Sequence, residues 1–335
     1  MRLGHAMKRR DFITLLGGAT AAWPLPAGAQ QPPMPVVGIL RAQSSSSDSV
    51  ERTVAPLRRG LGEAGFIEGR NVAFEIRSAD NDYSRLAELA ADLVRRRVSV
   101  IYTGGGEVSA HAAKAATTAI PIVFTMGGDP VASGVVPSLN RPGGNITGIA
   151  FLTTELGPKR LGLLKELAPA AMRYAALVNP ANPATTVITA ELRLAAASIG
   201  KPIEFFTASS IREIDTAFAE LVRNGAQALI VGGSSLFPNR AVQLATLAAH
   251  HRLPAIYYER QTVEVGGLMS YGANISEAVR LSGVYVGRIL KGEKPSDLPI
   301  TLSTKFEFVI NLQTARTLGL TIPPGVLAIA DEVIE

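Results

Sequence analysis

The chain has 335 residues, 47% of them hydrophobic and 18% charged, with 33 Lys and Arg against 28 Asp and Glu. That balance describes buried cores rather than disorder, the length allows about two domains, and after residue 30 no apolar run approaches the roughly 18 residues that span a bilayer. The absence of cysteine excludes disulfides, thiol nucleophiles and Cys-ligated zinc.

At the N-terminus Lys8-Arg9-Arg10-Asp11-Phe12-Ile13 precedes a weakly apolar stretch to Trp23, and Ala27-Gly28-Ala29 supplies a small-x-small cleavage site. Residues 1–29 resemble a twin-arginine export signal, with Met7 an alternative start. Its removal takes Arg2, Lys8, Arg9, Arg10 and Asp11, which lowers the basic excess from +5 to +2. A nucleic-acid binder should keep a clustered basic face after processing. The one basic run, Arg95-Arg96-Arg97, instead sits at a predicted helix end, where cations complement the dipole. Of four histidines, His5 lies in the leader, and His250 and His251 are neighbours on different faces of a helix, so they cannot chelate one metal together. No metal or cofactor is expected.

After the linker Gln30–Pro35, strands and helices alternate. Val36–Leu40, Val72–Ile76 and Val98–Tyr102 read as strands, separated by helices over Val50–Ala64 and Tyr83–Arg96 and followed by a helix over Val108–Thr118. The apolar run Ile120–Thr125 then breaks into Met126-Gly127-Gly128-Asp129-Pro130, the composition of a strand end turning into a helix, with Asp129 as N-cap and Pro130 as first helical residue. Continuous apolar runs between helices of 10 to 15 residues predict a parallel sheet covered on both faces.

The pattern restarts with a helix over Glu155–Leu167. Strands follow at Tyr174–Val178, Ile203–Phe206, Ala228–Val231 and Ala255–Tyr258, with helices over Thr185–Ile199, Ser210–Arg223 and Ala241–Ala249 between them. Ser210-Ile211-Arg212-Glu213 is a capping box. The remaining strands, Gly267–Tyr271 and Phe306–Ile310, the helix Ser276–Leu290 and a short helix to Leu318 are too few for a third domain. The C-terminal part must complete the first two, so the chain crosses between lobes more than once, which makes a hinge.

Four segments in series carry a resemblance: IPIVFTMGGDPVASGVVPSLNRPGGNITG (Ile120–Gly148), LVNPANP (Leu177–Pro183), GGLMSYGANI (Gly266–Ile275) and RILKGEKPSDLPI (Arg288–Ile300). Together they resemble the ABC-transporter substrate-binding proteins related to tryptophan/tyrosine-type binding proteins. The resemblance implies an α/β chain of two doubly wound parallel-sheet lobes joined by three crossovers, the type I periplasmic binding protein fold. Lobe 1 is expected over 36–148 plus 273–300, and lobe 2 over 151–270 plus 303–335.

In such a cleft the ligand contacts come from loops after strands. Ser44 and Ser45 offer hydroxyls and free N–H groups, or form a solvated capping loop. Gly104 and Gly105 let a ligand approach the backbone. The run is no dinucleotide fingerprint, since Ser109 stands at the third glycine position. Asp129 has two readings, a counter-charge for a ligand ammonium or the cap that alone explains an Asp before Pro130, with Met126, Gly127 and Gly128 lining the cleft through backbone. From the second lobe come Asn179, Asn182, Gly232 and Ser234. Tyr257 and Tyr258 end a strand, and only one can face the cleft because strand neighbours alternate sides. Phe151 and Tyr271 stand near crossovers, where aromatic rings would stack on a planar ligand or pack the core.

The expected protein is an exported, periplasmic, monomeric solute-binding protein of an ABC importer. It would close over a small ligand such as an amino acid or related carboxylate and act with permease and ATPase subunits. It is not a nucleic-acid binder, and meets the inner membrane only through the permease. The alternatives are a periplasmic sensor handing its ligand to a receptor, and an enzyme of the same fold. The second is disfavoured because Asp129 is the one acid placed in the cleft and no histidine accompanies it.

Overall fold

The computed structural model describes residues 34–335. The leader reading, on residues 1–29, lies outside the described residues. The first half folds as β1 (Val36–Arg41), α1 (Ser47–Glu63), β2 (Ala73–Ser78), α2 (Leu86–Arg95), β3 (Val100–Gly104), α3 (Glu107–Ala116), β4 (Ile122–Met126) and β5 (Ile146–Ala150). The second comprises α4 (Gly157–Leu167), β6 (Tyr174–Val178), α5 (Thr185–Ser198), β7 (Ile203–Thr207), α6 (Ile211–Arg223), β8 (Ala228–Val231), α7 (Ala241–His250), β9 (Ala255–Tyr257), α8 (Arg260–Glu264) and β10 (Met269–Ala273). The tail contributes α9 (Ile275–Leu290), β11 (Thr301–Leu302), β12 (Phe306–Asn311), α10 (Leu312–Thr317), α11 (Pro324–Ala328) and β13 (Glu332–Ile334).

These strands form two sheets. One runs β2-β1-β3-β4-β5-β11 with every pairing parallel. The other runs β7-β6-β8-β9-β10-β12-β13, parallel except for the antiparallel β10–β12 pair. The chain passes from the first sheet to the second after β5, back after β10, and over again after β11. Two doubly wound lobes joined by three crossovers are thus present, with β12 departing from the all-parallel expectation. That strand can pair antiparallel because it returns directly from the third crossover and has no crossover helix to cover.

Alternation along each strand explains the double winding. In the first lobe Val37, Ile39, Val100, Tyr102 and Val123 pack under α1 and α9, while Leu40, Ile101, Ile122 and Phe124 pack under α2 and α3. In the second, Tyr174, Ala176 and Ile230 face α4 and α5, and Ala175, Leu177 and Leu229 face α6 and α7. Each Val, Leu, Ile or Phe among them contributes roughly 1.5–3 kcal/mol on burial. The half-exposed ion pairs Arg58–Glu51 and Arg288–Glu293 belong to a class worth about 0–1 kcal/mol, so the sheets' two apolar faces hold the lobes.

One expected helix is missing. Asp129-Pro130 opens a single turn, closed by Ser133 N–H to Asp129 O at 3.0 Å and ended by Gly134 at φ 74°. No helix N-terminus therefore stands behind Met126–Asp129. The C-terminal α11 and β13 are additions that the sequence pattern did not reveal; β13 rides on β12 at the sheet edge.

Candidate ligand-binding site

In an open α/β sheet a crevice forms where successive connections leave a strand in opposite directions, outside the strand carboxyl ends. The first sheet has this switch between β1 and β3, the second between β6 and β8. Those four strand ends carry Arg41–Gln43, Gly104–Gly106, Asn179–Asn182 and Gly232–Ser235. A cavity of about 750 Å³ lies between them and takes its lining from both lobes and from the crossovers.

On the first lobe, Arg41 is 1% exposed. It donates through Nε to Thr53 Oγ1 (3.3 Å), through Nη1 to Ser44 O and Ser78 Oγ (both 3.1 Å), and through Nη2 to Ser49 O (2.6 Å) and Oγ (3.0 Å). Burial pushes its pKa down to about 10, which leaves it charged at neutral pH. Gly105 and Gly106 turn the chain from β3 into α3 at φ 95° and 91°, the region that only glycine enters freely. A Cβ on Gly105 would also strike Ala42. Gly127 and Gly128 make room in the same way: a Cβ on the first would meet Thr153 and Phe151, and on the second the Glu107 carboxylate. The glycine pair after β4 therefore seats a hinge aromatic and an acid against the cavity. Burial raises the Glu107 pKa, Asp129 adds to the rise and His111 opposes it.

On the second lobe the asparagines are spent on the wall itself. Asn179 Nδ2 donates to Ser234 Oγ (2.9 Å) and Asn182 Nδ2 to Gly233 O (2.7 Å), tying the loop after β6 to the loop after β8. Tyr258 donates its hydroxyl proton to Ser234 O. Two charged groups complete this wall. Arg160, in the first turn of α4, is 4% exposed and donates Nε to Tyr271 O at 2.7 Å. Glu259 is partly buried, and desolvation raises its pKa to about 7, against the lowering influence of Tyr258, Arg52 and Arg160.

Of the residues expected from sequence, Gly104, Gly105, Gly127, Gly128, Phe151, Asn182, Ser234 and Tyr258 line the cavity. The others lie off it. Ser44 O accepts from Arg41 Nη1, and Ser45, which is exposed, donates its backbone N–H to Asp80 Oδ1. Met126 is in the first lobe's core, Tyr257 in the second's, and Gly232 donates to Leu177 O within the sheet. Asn179 stands behind the wall, held to Ser234. Tyr271 packs against Phe306 and Phe308, with ring centroids 6.2 Å from each. Asp129 Oδ1 accepts from Val131 N (2.7 Å) and Ala132 N (3.2 Å), the capping geometry of its turn.

Sequence reasoning missed Arg41, Glu107, Arg160 and Glu259, all on the cavity. The expectation that Asp129 is the one acid of the cleft is corrected: Asp129 is off the cavity, and several glutamates are on it. Two of the missed residues carried a signal. Arg41 ends a buried apolar strand where a cation has no reason to sit for packing alone, and Arg160 is a cation in the first turn of a helix, against the dipole.

The lobes also touch directly across the mouth. Tyr83 OH and Ser235 Oγ are 2.6 Å apart, and Arg52 Nη2 donates to Asn239 Oδ1 at 3.4 Å. Two switch-point crevices facing one shared cavity, with three crossovers beside it, define the type I periplasmic-binding-protein class. Residues 38–334 match the ABC transporter substrate binding protein family, and the chain belongs to it. A tyrosine-binding protein of Clostridioides difficile is 26% identical over 273 residues, covering 81% of this chain and 78% of that one. The Streptococcus pneumoniae ABC domain in complex with L-Trp is 24% identical, with a TM-score of 0.80 over 90% of this chain and 99% of that one. A Clostridium difficile substrate binding protein with adhesive properties, in its ligand-free, open structure, is 26% identical over the same shares, with a TM-score of 0.64.

Proposed function

We propose that the protein is the exported solute receptor of an ABC importer and that its ligand is an α-amino acid, the aromatic ones first. The observation that carries this reading is the two-lobed cavity, whose lining combines the aromatic residues Tyr83, Phe151 and Tyr258 with both basic and acidic side chains. An amphoteric ligand with a planar body uses all three. A sugar would leave uncompensated the cavity charges that have no protein partner, at a cost of several kcal/mol. The names of the relatives, one binding tyrosine and one solved with L-Trp, favour the same class. Segments 36–148 plus 273–300 and 151–270 plus 303–335 are the bodies that close on each other, and the twin-arginine-like leader delivers the chain as a monomer to the periplasm. There it meets the permease and, through it, the ATPase.

A thermal-shift screen of the ligand-free protein against amino acids, organic acids, purines and sugars tests the ligand class. An amino acid at 100 times its dissociation constant should add about 2.7 kcal/mol to stability. A shift with a sugar or purine and with no amino acid would sink the reading.

Closure supplies a second expectation. A ligand held by both lobes stabilises the shut state, in which the Tyr83–Ser235 bond exists. Tyr83→Phe removes about 1 kcal/mol from that state, so ligand affinity should fall about fivefold while the melting temperature of the ligand-free protein stays unchanged. Titration calorimetry and small-angle scattering of the variant measure both. Unaltered affinity would mean that this bond plays no part in closure.

A further inference from the structure

Most of the charged groups on the cavity already have partners. Arg41 has every guanidinium nitrogen bonded to neutral oxygens. Arg260 pairs with Glu264 (2.7 Å) and Glu332 (2.9 Å), Glu277 with Arg280 (2.7 Å), and Glu51 with Arg58 (3.0 Å). Three differ: Glu107 stands alone on the first lobe, without a hydrogen bond or ion pair among the described residues, and Arg160 and Glu259 lie together on the second. Arg160 is fixed by Nε alone: Nη2 is buried with no partner, and neither terminal nitrogen bonds to protein among the described residues. Glu259 forms no ion pair among the described residues, and Arg52 and Arg160 act on it only through space.

The two lie on the same wall and sense each other's charge, yet they are too far apart to pair. Left so, Arg160 is a buried charge with one edge unpaired and Glu259 a partly desolvated one, and both are costly. The position of Arg160 adds to its cost, because the first turn of α4 presents the positive end of the helix dipole. A tie to Tyr271 O needs one donor; it does not need a guanidinium whose remaining edge is empty. That edge is planar and carries two parallel N–H groups, the shape that matches a carboxylate.

We infer that Arg160 and Glu259 read the two charges of an α-amino acid, Arg160 binding the carboxylate through its terminal nitrogens and Glu259 the ammonium. The assignment rests on the amino-acid reading above and deepens it. The zwitterion completes a chain of charge from Arg160 through the ligand to Glu259, and Tyr258, on the same wall, keeps its proton on Ser234 O. The second lobe then holds the amino-acid head group, and closure brings the first lobe over the side chain.

The test uses analogues that lack one charge, titrated calorimetrically into the full-length protein and its variants. L-tryptophan and L-tyrosine are the parent probes, L-tryptophanamide lacks the carboxylate, and indole-3-propionate lacks the ammonium. Arg160→Gln should weaken L-tryptophan about 100-fold and leave the amide within threefold of wild type. Glu259→Gln should weaken L-tryptophan at least tenfold and leave indole-3-propionate within threefold. Arg160→Lys keeps the charge without the fork and should fall between, and guards against a Gln variant that does not fold. If either variant weakens acid and analogue alike, the residue serves the scaffold and the inference falls. It also falls if both variants bind L-tryptophan as wild type does, or if Glu107→Gln, not Glu259→Gln, loses the discrimination. In those cases amino-acid binding by the wild type still stands. A wild type that binds neither parent probe nor any other amino acid overturns the proposed function and this assignment together.

Discussion

Gly60→Ala is expected to destabilise the protein by about 2–3 kcal/mol, although alanine is the better helix former. Gly60 lies in α1 where that helix crosses α9, and a Cβ there would fall inside the shell of the Arg280 carbonyl oxygen. The contact is reciprocal. Cβ atoms on Gly283 and Gly287 of α9 would collide with the Leu57 carbonyl oxygen and with Ala64. Glycines four apart share one helix face, so the two backbones meet along a stripe with no side chain to yield. An added methyl must push the helices apart and loosen Val54, Leu57, Val279 and Val286, which pack there. Overpacking of this kind costs about 1–3 kcal/mol and sometimes more, against a propensity gain of about 1 kcal/mol, and it wins because backbone rather than side chain must move. Gly62→Ala, in the same helix with open space around its Cβ, isolates the propensity term and should stabilise by up to about 1 kcal/mol. Urea unfolding of both variants decides the matter, and equal effects would defeat the close-contact argument. The consequence reaches the cleft. Helix α9 starts straight after the crossover residue Asn274, whose Oδ1 caps it at Glu277 N (2.8 Å), so a displaced α9 shifts the hinge.

This stripe was not legible in the sequence, since glycines within a helical pattern give no sign of which neighbour approaches them. What was legible followed from local chemistry. Continuous apolar runs such as Val36–Leu40 announced strands buried on both faces. Ser210 and Glu213 announced a capping box, and Ser209 N–H and Ser210 Oγ do bind the Glu213 carboxylate, at 2.9 Å each. Tyr257 ends its strand in the core, whereas Tyr258 stands in the bend after it, where alternation no longer applies, and belongs to the same cluster while also lining the cavity. The dipeptide Asp129-Pro130 gave the cap but not the length of what it capped, because Gly134 ends the turn four residues later at a positive φ. Arg160 carried the signal of a cation at a helix start, but its burial, like that of Glu259, was illegible for a different reason. Each reads locally as a polar residue beside a helix start, and only the packing of α4 beneath Tyr271, and of the loop after β9 against the cavity, takes them out of water. Burial of a charge is a property of the tertiary fold, so composition and periodicity pass over it.

The ligand-free protein should lose about 1–2 kcal/mol of stability between pH 5.5 and pH 8, and Glu259→Gln should abolish most of that loss. The folded state holds the Glu259 pKa at about 7 against an ordinary 4.5, chiefly by desolvation. A raised carboxyl pKa means that the folded state keeps a proton which the unfolded chain releases, so stability falls as pH climbs from 4.5 to about 7 and levels off above. Each pH unit of that window is worth about 1.4 kcal/mol, or roughly 3 kcal/mol in a sealed site. Cavity water at a partly exposed carboxyl reduces this to about 1–2 kcal/mol. The carboxylates of Asp80, Asp92, Glu213, Glu277 and Glu293 are held below their usual range by hydrogen bonds and cations, so their contributions vanish only in more acid solution. Glu107, raised by burial, adds to the loss with the same sign, which leaves a residual slope in Glu259→Gln. Ligand affinity should run the other way. An ammonium binds the ionised carboxylate, so affinity for an amino acid should rise about tenfold from pH 6 to pH 8 in wild type and stay level in the variant. The group that weakens the empty protein as pH rises is then the group that strengthens the loaded one. Unfolding profiles and titrations at pH 6 and pH 8 measure both slopes, and a wild-type affinity that falls toward pH 8 would remove Glu259 from the ammonium site.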